Sequence, residues 1–321
     1  MKEYDVVVIG AGPGGYVAAI RSAQLGLQTA IIEKRFLGGV CLNIGCIPSK
    51  ALLKNADVAH TLRERGKEFG FSFENLELDY STAFDRSRKA SDRLVRGVKF
   101  LMKKHDIDVH MGAAKLTARD TVEVTPDDGE VETLKAKDII IATGAHTFTI
   151  PGVELDGEKV IDYEDAIMRK TLPESVAIIG GGAIGVEFAT IWNAYGVDVT
   201  IIEMLDTLLP LEDEAIGSEI EKAYKKRGIN VMTKSKVKGV ETTDKGTKVT
   251  VATEESEEVI EAELTMMAIG FRPNTKGLGL EDVGVKLSDK GNITIDDRMA
   301  TSIDGIWAIG EQVGTRIPAL P

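Results

Sequence analysis

The chain carries two cysteines, Cys41 and Cys46, in the segment Gly38-Gly39-Val40-Cys41-Leu42-Asn43-Ile44-Gly45-Cys46-Ile47-Pro48-Ser49-Lys50. With no third cysteine as partner, they form a local disulfide or stand as two thiols. Residues five apart in an ideal helix have Cα atoms about 8–9 Å apart, whereas a disulfide needs about 4.4–6.8 Å. A bond between them therefore requires an irregular helix start. Gly45 directly before Cys46, Gly38-Gly39 upstream and Pro48 downstream supply that freedom. A thiol near a helix N-terminus gains thiolate character from the dipole. The pair reads as a redox dithiol fed by a nearby cofactor. Two plainer readings stand beside it. The thiols could be small buried hydrophobes, or two of four metal ligands, although C-x4-C lacks a second pair and no histidine is near. Lys50, one helical turn after Cys46, could hold negative charge on a thiolate or a reduced cofactor, or be a surface lysine.

The elements that must position this segment come from an internal repeat. Val6-Val7-Val8-Ile9-Gly10-Ala11-Gly12-Pro13-Gly14-Gly15 aligns with Val176-Ala177-Ile178-Ile179-Gly180-Gly181-Gly182-Ala183-Ile184-Gly185. Each copy opens with an apolar run, the mark of a strand buried on both faces. Each continues as a helix ended by glycine, Gly26 or Gly196, and then as a second apolar strand ending in an acid, Glu33 or Glu203. Gly10 and Gly180 suit a tight turn. Gly12 and Gly182 let the backbone approach a pyrophosphate, and Gly15 and Gly185 let helix and strand pack closely. The helix N-terminus offers N–H groups and a positive dipole end to phosphate. Glu33 and Glu203, roughly 20 residues after the first glycine, are placed to accept from a ribose diol. Two copies in register imply two dinucleotides and electron transfer between them. Glu187 falls in the first turn of the second helix, where an acid also favours the dipole. A buried Lys50–Glu187 pair would bridge the two nucleotide domains.

The remaining pattern is coarser. Residues 51–66 and 80–105 read as helices, and 107–143 as short strands with an Asp127-Asp128-Gly129 turn. Residues 138–144 and 264–270 read as strands closing the two nucleotide units, with a crossing near Pro151-Gly152 and Pro173. The strand at 305–310 is expected to return to the first sheet. At 321 residues and 34.6 kDa the chain suits two domains. Its formal charge of −12 argues against nucleic acid or an anionic membrane as partner. Two cysteines do not make a secreted disulfide framework. No stretch nears the roughly 20 apolar residues of a membrane span, and Met1-Lys2-Glu3 leads into a strand rather than a signal sequence. The cytoplasm is the expected compartment.

The 38–50 segment, with Ala142-Thr143-Gly144, Gly180–Glu187, Ile269-Gly270-Phe271-Arg272-Pro273-Asn274 and Trp307-Ala308-Ile309-Gly310, resembles the flavin disulfide reductases. Asn43-Ile44-Gly45 and Ile47-Pro48-Ser49-Lys50 favour the dihydrolipoamide dehydrogenase branch over the glutathione and mercuric reductases. The resemblance implies an α/β fold of two Rossmann-like dinucleotide-binding domains in three-layer sheet architecture. An FAD domain would comprise residues 1–150 with 276–321, and an NAD domain residues 151–275.

FAD would lie along Gly10, Gly12, Gly14 and Gly15, its ribose on Glu33 beside Lys34 and its adenine near Gly112 and Ala113. Gly39, Val40, Cys41, Cys46, Lys50, Thr143, Gly144, Glu311, Ala319 and Leu320 would complete that site. NAD would lie on Gly180, Gly182, Ile184, Gly185 and Glu187, ribose on Glu203, with Val237 and Gly270 alongside. Met204-Leu205-Asp206 offers no arginine for a 2′-phosphate, which favours NAD over NADP. The resemblance gives Cys41 to the dithiol substrate and Cys46 to the flavin, with Lys50 by the flavin ring paired to Glu187. The partner would be the lipoyl domain of a 2-oxo acid dehydrogenase complex or of the glycine cleavage system.

The family is a homodimer whose C-terminal domain supplies a His-Glu base. The sequence ends at Pro321 before that domain, and His60, His105, His110 and His146 do not fit its motif. Dye reduction without lipoamide turnover is therefore expected of these residues. The alternatives are a nucleotide-binding module without turnover, or a relative acting on another disulfide or a metal ion. Three further departures are Glu311 for the family's Asp, Val40 for Thr, and His146-Thr147-Phe148 in place of a Ser/Pro-containing turn.

Overall fold

A computed structural model describes residues 2–254 and 256–314. In chain order the elements are β1 (Lys2–Ile9), α1 (Pro13–Gln24), β2 (Thr29–Glu33), α2 (Gly39–Asn43), α3 (Cys46–Arg65), a 3-10 turn (Gly66–Phe69) and α4 (Tyr80–Lys104). They continue with β3 (Asp108–Met111), β4 (Ala113–Ala118), β5 (Thr121–Thr125), β6 (Glu132–Ile141), β7 (Ala145–Thr147), β8 (Val160–Ile161), α5 (Tyr163–Met168), β9 (Ser175–Ile179), α6 (Ala183–Ala194) and β10 (Asp198–Ile202). The last are α7 (Glu214–Lys226), β11 (Asn230–Met232), β12 (Lys236–Thr243), β13 (Gly246–Ala252), β14 (Glu257–Ala262), β15 (Leu264–Met267), β16 (Phe271–Pro273) and β17 (Ile306–Ala308), followed by a 3-10 turn at Glu311–Val313.

Packing divides this chain into two units, one holding residues 2–43, 91–146 and 271–314, the other residues 44–90 and 147–270. In the first, β3-β2-β1-β6-β17 run parallel, and the N-terminal half of β6 turns into an antiparallel meander with β5 and β4. β17 pairs with β6 from Ile306 opposite Ile139, which is the expected return of the chain end to the first sheet. The core beneath it includes Val7, Ile9, Ile32, Leu116, Ile139, Ile141 and Ile306. Each such side chain contributes about 1.5–3 kcal/mol on burial.

The second unit repeats the plan. Its parallel sheet is β11-β10-β9-β15-β8, and β12-β13-β14 form a separate antiparallel meander. The sheets differ in where the edge strand originates. β17 follows the rest of the first sheet in the chain, whereas β8 precedes the second.

Residues 44–90 differ from the expected division, which grouped them with the first nucleotide motif. α3 packs against α6. Its buried residues Pro48, Ser49, Leu52, Ala56 and Ala59 make a stripe in which all but Leu52 are small, and α6 buries Gly185, Val186, Phe188, Ala189 and Trp192. Small side chains let the two backbones approach closely, and Arg63 Nη1 donates to Ala194 O at 3.3 Å, placing a cation on the C-terminal carbonyls of α6. Among the described residues no helix is long and apolar enough to cross a membrane.

Candidate functional site: two dinucleotide turns and a dithiol

The two glycine turns are built alike. α1 begins after Gly12 and α6 after Gly182, and neither N-cap is bonded by a side chain. By contrast, α5 and α7 are capped by Asp162 and Asp213. A Cβ at Gly12 or Gly182 would meet nothing within 4 Å, so each turn faces open space on the side where a pyrophosphate would sit. At Gly15 a Cβ would fall 1.9 Å from Gly10 O, and at Gly185 2.0 Å from Gly180 O. No side chain fits there, because the first turn of each helix lies against the strand end.

The acids close the turns. Glu33 Oε2 accepts from Ala11 N at 2.7 Å and its Oε1 from Arg35 N at 2.8 Å. Glu203 repeats both bonds, Oε2 from Gly181 N at 2.7 Å and Oε1 from Leu205 N at 2.8 Å, and is 8% exposed. Each carboxylate thus clamps its turn, a structural task that its spacing alone did not reveal. A carboxylate has about four acceptor sites, so capacity remains for a ribose hydroxyl. Gly112 N donates to Glu33 O at 2.9 Å, which ties the start of the meander to the same acid; Gly112 is buried, and Ala113 and Lys34 are exposed.

The dithiol segment starts on the first turn. Gly38 N donates to Ala11 O at 2.9 Å, and a Cβ at Gly39 (φ +62°) would meet Gly12 Cα at 2.4 Å. The backbone before Cys41 therefore rests on the glycine loop. α2 carries Cys41 and exposed Val40, and Asn43 Nδ2 donates back to Leu37 O (3.1 Å) and Gly39 O (2.8 Å). The helix then breaks at Ile44-Gly45, and Cys46 is the first residue of α3. This is the irregular start that the spacing required, and it explains why the helix expected at 51–66 already begins at Cys46. Pro48 is tolerated because first-turn N–H groups have no helical acceptor. Cys41 is half-buried, and Cys46 is exposed at the positive end of α3.

Lys50, on the next turn, places Nζ 2.5 Å from Glu187 Oε1. The expected pair forms, with two corrections. It is not buried, since the side chains are 61% and 23% exposed. It also lies within one packing unit, because α3 sits on α6. Val237 is buried in the second core with Val160, Val249 and Met267. Ile184 is half-buried on α6, and Gly270 is exposed with φ +120°.

Two residues without a role in the sequence reading organise the end of β6. Asn274 Nδ2 donates to Thr143 O at 3.0 Å, its N–H donates to Gly144 O at 2.9 Å, and Thr143 Oγ1 donates to Asn274 O at 2.7 Å. Gln312, with no exposed surface, accepts from Gly144 N at 3.0 Å and donates to Ile141 O at 2.7 Å and to Ile309 O. Asn274 falls in a quoted motif, but nothing marks Gln312 as buried. Glu311 lines a cleft with Ala145, Phe271, Arg272, Lys290 and Asn292. The residue shows surface to solvent, yet the cleft walls desolvate its carboxyl and push it above the usual range. Ala319 and Leu320 lie outside the described residues.

The residues present fit two dinucleotides: two uncapped helix starts over open space, each with a clamped acid. Comparison with known proteins agrees. The family model described as pyridine nucleotide-disulphide oxidoreductase matches residues 4–320. A dihydrolipoyl dehydrogenase of Mycobacterium bovis is 47% identical over 98% of this chain and 67% of its own length. One of Corynebacterium glutamicum is 46% identical over 97% of this chain and 66% of its own length. The solved Cu(II) complex of the HOCl-induced flavoprotein disulfide reductase RclA from Escherichia coli matches with TM-score 0.85 and 28% identity, covering 98% of this chain and 67% of that one. The chain thus spans about two thirds of the length of these relatives, and it belongs to the pyridine nucleotide-disulphide oxidoreductases.

Proposed function

We propose that the chain is the nucleotide-binding and dithiol-bearing part of an NAD-dependent dihydrolipoyl dehydrogenase. The observation that carries this reading is the seating of Gly38-Gly39 on the first glycine turn, which ties the thiol segment to one dinucleotide site. FAD on the unit around Gly10–Gly15 and NAD on the unit around Gly180–Gly185 would supply the two-electron chemistry.

The thiol chemistry belongs to the chain. With Cys41 and Cys46 oxidised to a disulfide, a thiolate of the dihydrolipoyl group attacks Cys41 Sγ and the Cys41–Cys46 bond breaks. Cys46 leaves as a thiolate at the N-terminus of α3, where the helix dipole favours negative charge. The second substrate thiol attacks the mixed disulfide and releases Cys41. One cyclic disulfide has formed, one protein disulfide has become two thiol groups, and the protons have gone from substrate to solvent and thiols. Lys50, held by Glu187, adds a positive charge one turn from Cys46. Glu33 and Glu203 hold the turns and offer their remaining lone pairs to ribose.

The substrate partner proposed is a lipoyl domain of a 2-oxo acid dehydrogenase complex or of the glycine cleavage system, in the cytoplasm. Absorbance spectroscopy tests the reading. FAD-loaded protein is expected to be yellow and to bleach with NADH. Turnover with lipoamide, glutathione disulfide and a mercuric salt as alternative acceptors separates the family branches. Protein that takes up no FAD, or that bleaches only with NADPH, overturns the proposal.

A further inference from the structure

The mechanism above uses Glu187 only through Lys50, yet the turn of α6 that bears Glu187 carries an unusual load. Tyr224, on α7 and 3% exposed, donates its hydroxyl to Val186 O at 2.6 Å. Thr190 Oγ1 lies 2.7 Å from Tyr224 Oη and 2.9 Å from Val186 O. Three oxygens thus form a closed triangle with two protons to share. One assignment uses every atom well. Tyr224 donates to Val186 O across the shortest edge, and Thr190 donates to Tyr224 Oη across the next. Val186 O already accepts the i+4 N–H of its helix, so the tyrosine takes its second lone pair. Burial pushes the Tyr224 phenol up, and the Glu187 carboxylate adds to that shift, so the hydroxyl remains a donor.

The Val186 carbonyl and the Glu187 N–H belong to one peptide plane. A donor fixed on that carbonyl from α7 fixes the plane from which the Glu187 side chain departs. Thr190 used alone would back-bond its own helix and loosen that turn; given Tyr224 as acceptor, its hydroxyl ties α6 to α7 instead. We propose that Tyr224, oriented by Thr190, is a positioning residue that aims Glu187 at Lys50 and so holds the cation one turn from Cys46. The inference rests on the reading of the Lys50–Glu187 pair given above. It adds one residue on a third element, Tyr224 of α7, to the apparatus that serves the redox helix.

The test is residue-resolved acylation of lysines with a limiting amount of an N-hydroxysuccinimide ester, quantified by mass spectrometry on the folded 321-residue protein. An amine held on a carboxylate reacts more slowly than one in water. Lys54, one turn further along α3 and paired with Asp57 at 2.9 Å, is the internal control. Glu187→Gln is expected to raise Lys50 labelling by about two- to fivefold, the scale of a half-exposed ion pair. Tyr224→Phe should raise it by a similar factor and leave Lys54 unchanged, Thr190→Val should fall between, and Thr190→Ser should restore the original rate. Labelling of Lys50 at the original rate in Tyr224→Phe, with Glu187→Gln still raised, overturns the positioning role alone. No response to Glu187→Gln overturns the ion pair and the inference together. Equal increases at Lys50 and Lys54 in Tyr224→Phe mean general loosening, and also overturn it.

Discussion

Glu203→Gln isolates the clamp on the second nucleotide turn. The carboxylate accepts one backbone N–H on each oxygen, from Gly181 at 2.7 Å and Leu205 at 2.8 Å, in a site 8% exposed. A glutamine keeps one acceptor oxygen and turns an NH2 group toward the other N–H, so one bond is lost and two donors face each other. Hydrogen bonds to a charged group contribute about 1.5–3 kcal/mol each, and a buried donor left without a partner costs about 1–3 kcal/mol. A net loss of about 2–3 kcal/mol follows. With a urea slope of about 2 kcal/mol/M for a unit of this size, the midpoint falls by about 1–1.5 M. The chain supplies its own probes. Trp192 is fully buried in the second unit, and Trp307 in the first donates to Asp138 Oδ1 at 2.9 Å. Urea titrations in Trp307→Phe and Trp192→Phe backgrounds follow the units separately. Glu203→Gln should lower the Trp192 midpoint and leave the Trp307 midpoint unchanged. Glu33→Gln, at a more solvated acid, should lower the Trp307 midpoint by a smaller amount, because water can replace the lost acceptor. A Trp192 midpoint shift below about 0.3 M for Glu203→Gln would refute the clamp, since one hydrogen bond to a charged group, at least about 1.5 kcal/mol, already corresponds to more than about 0.7 M.

Gly12→Ala should fold with its unfolding midpoint little changed, since a Cβ there meets nothing within 4 Å, but should lose FAD affinity by equilibrium dialysis. Gly15→Ala, whose Cβ would fall 1.9 Å from Gly10 O, should cost at least about 1–3 kcal/mol in the same urea assay. Gln312→Leu removes three hydrogen bonds at the end of β6 from a side chain with no exposed surface, and should cost about 2–4 kcal/mol by the Trp307 signal. Glu311 carries a carboxyl raised by desolvation, so its ionisation works against the fold: stability from this group is present below the unfolded carboxylate range and lost as pH rises through the raised value. Glu311→Gln should therefore raise the thermal midpoint at pH 7, with the gain shrinking toward pH 4; an equal gain at both pH values would contradict the assignment.

The two glycine turns were legible in the sequence because their geometry leaves no choice of residue. Gly15 and Gly185 have no room for a side chain, and apolar runs of the length of β1 and β9 suit strands buried on both faces. The irregular start of α3 was legible too, from the conflict between a five-residue spacing and disulfide geometry. The partner of α3 was not. Its stripe of Pro48, Ser49, Leu52, Ala56 and Ala59 shows that the helix packs, but a stripe carries no address, and the chain position of 44–90 does not reveal that it packs with residues 147–270. The clamping of each turn by Glu33 and Glu203 was hidden because it depends on the turn folding back over residues far apart in the chain. Gln312 was invisible because a glutamine has no apolar pattern to betray its burial.

The central claim is that electrons from NADH reach Cys41 and Cys46 through the bound flavin. Anaerobic titration of accessible thiols in FAD-loaded, oxidised protein, before and after one equivalent of NADH, tests it most directly. Two thiols are expected to appear after NADH, and none in a Cys41→Ser, Cys46→Ser double variant. Bleaching of the flavin with no gain of thiols in the unmodified chain would contradict the account.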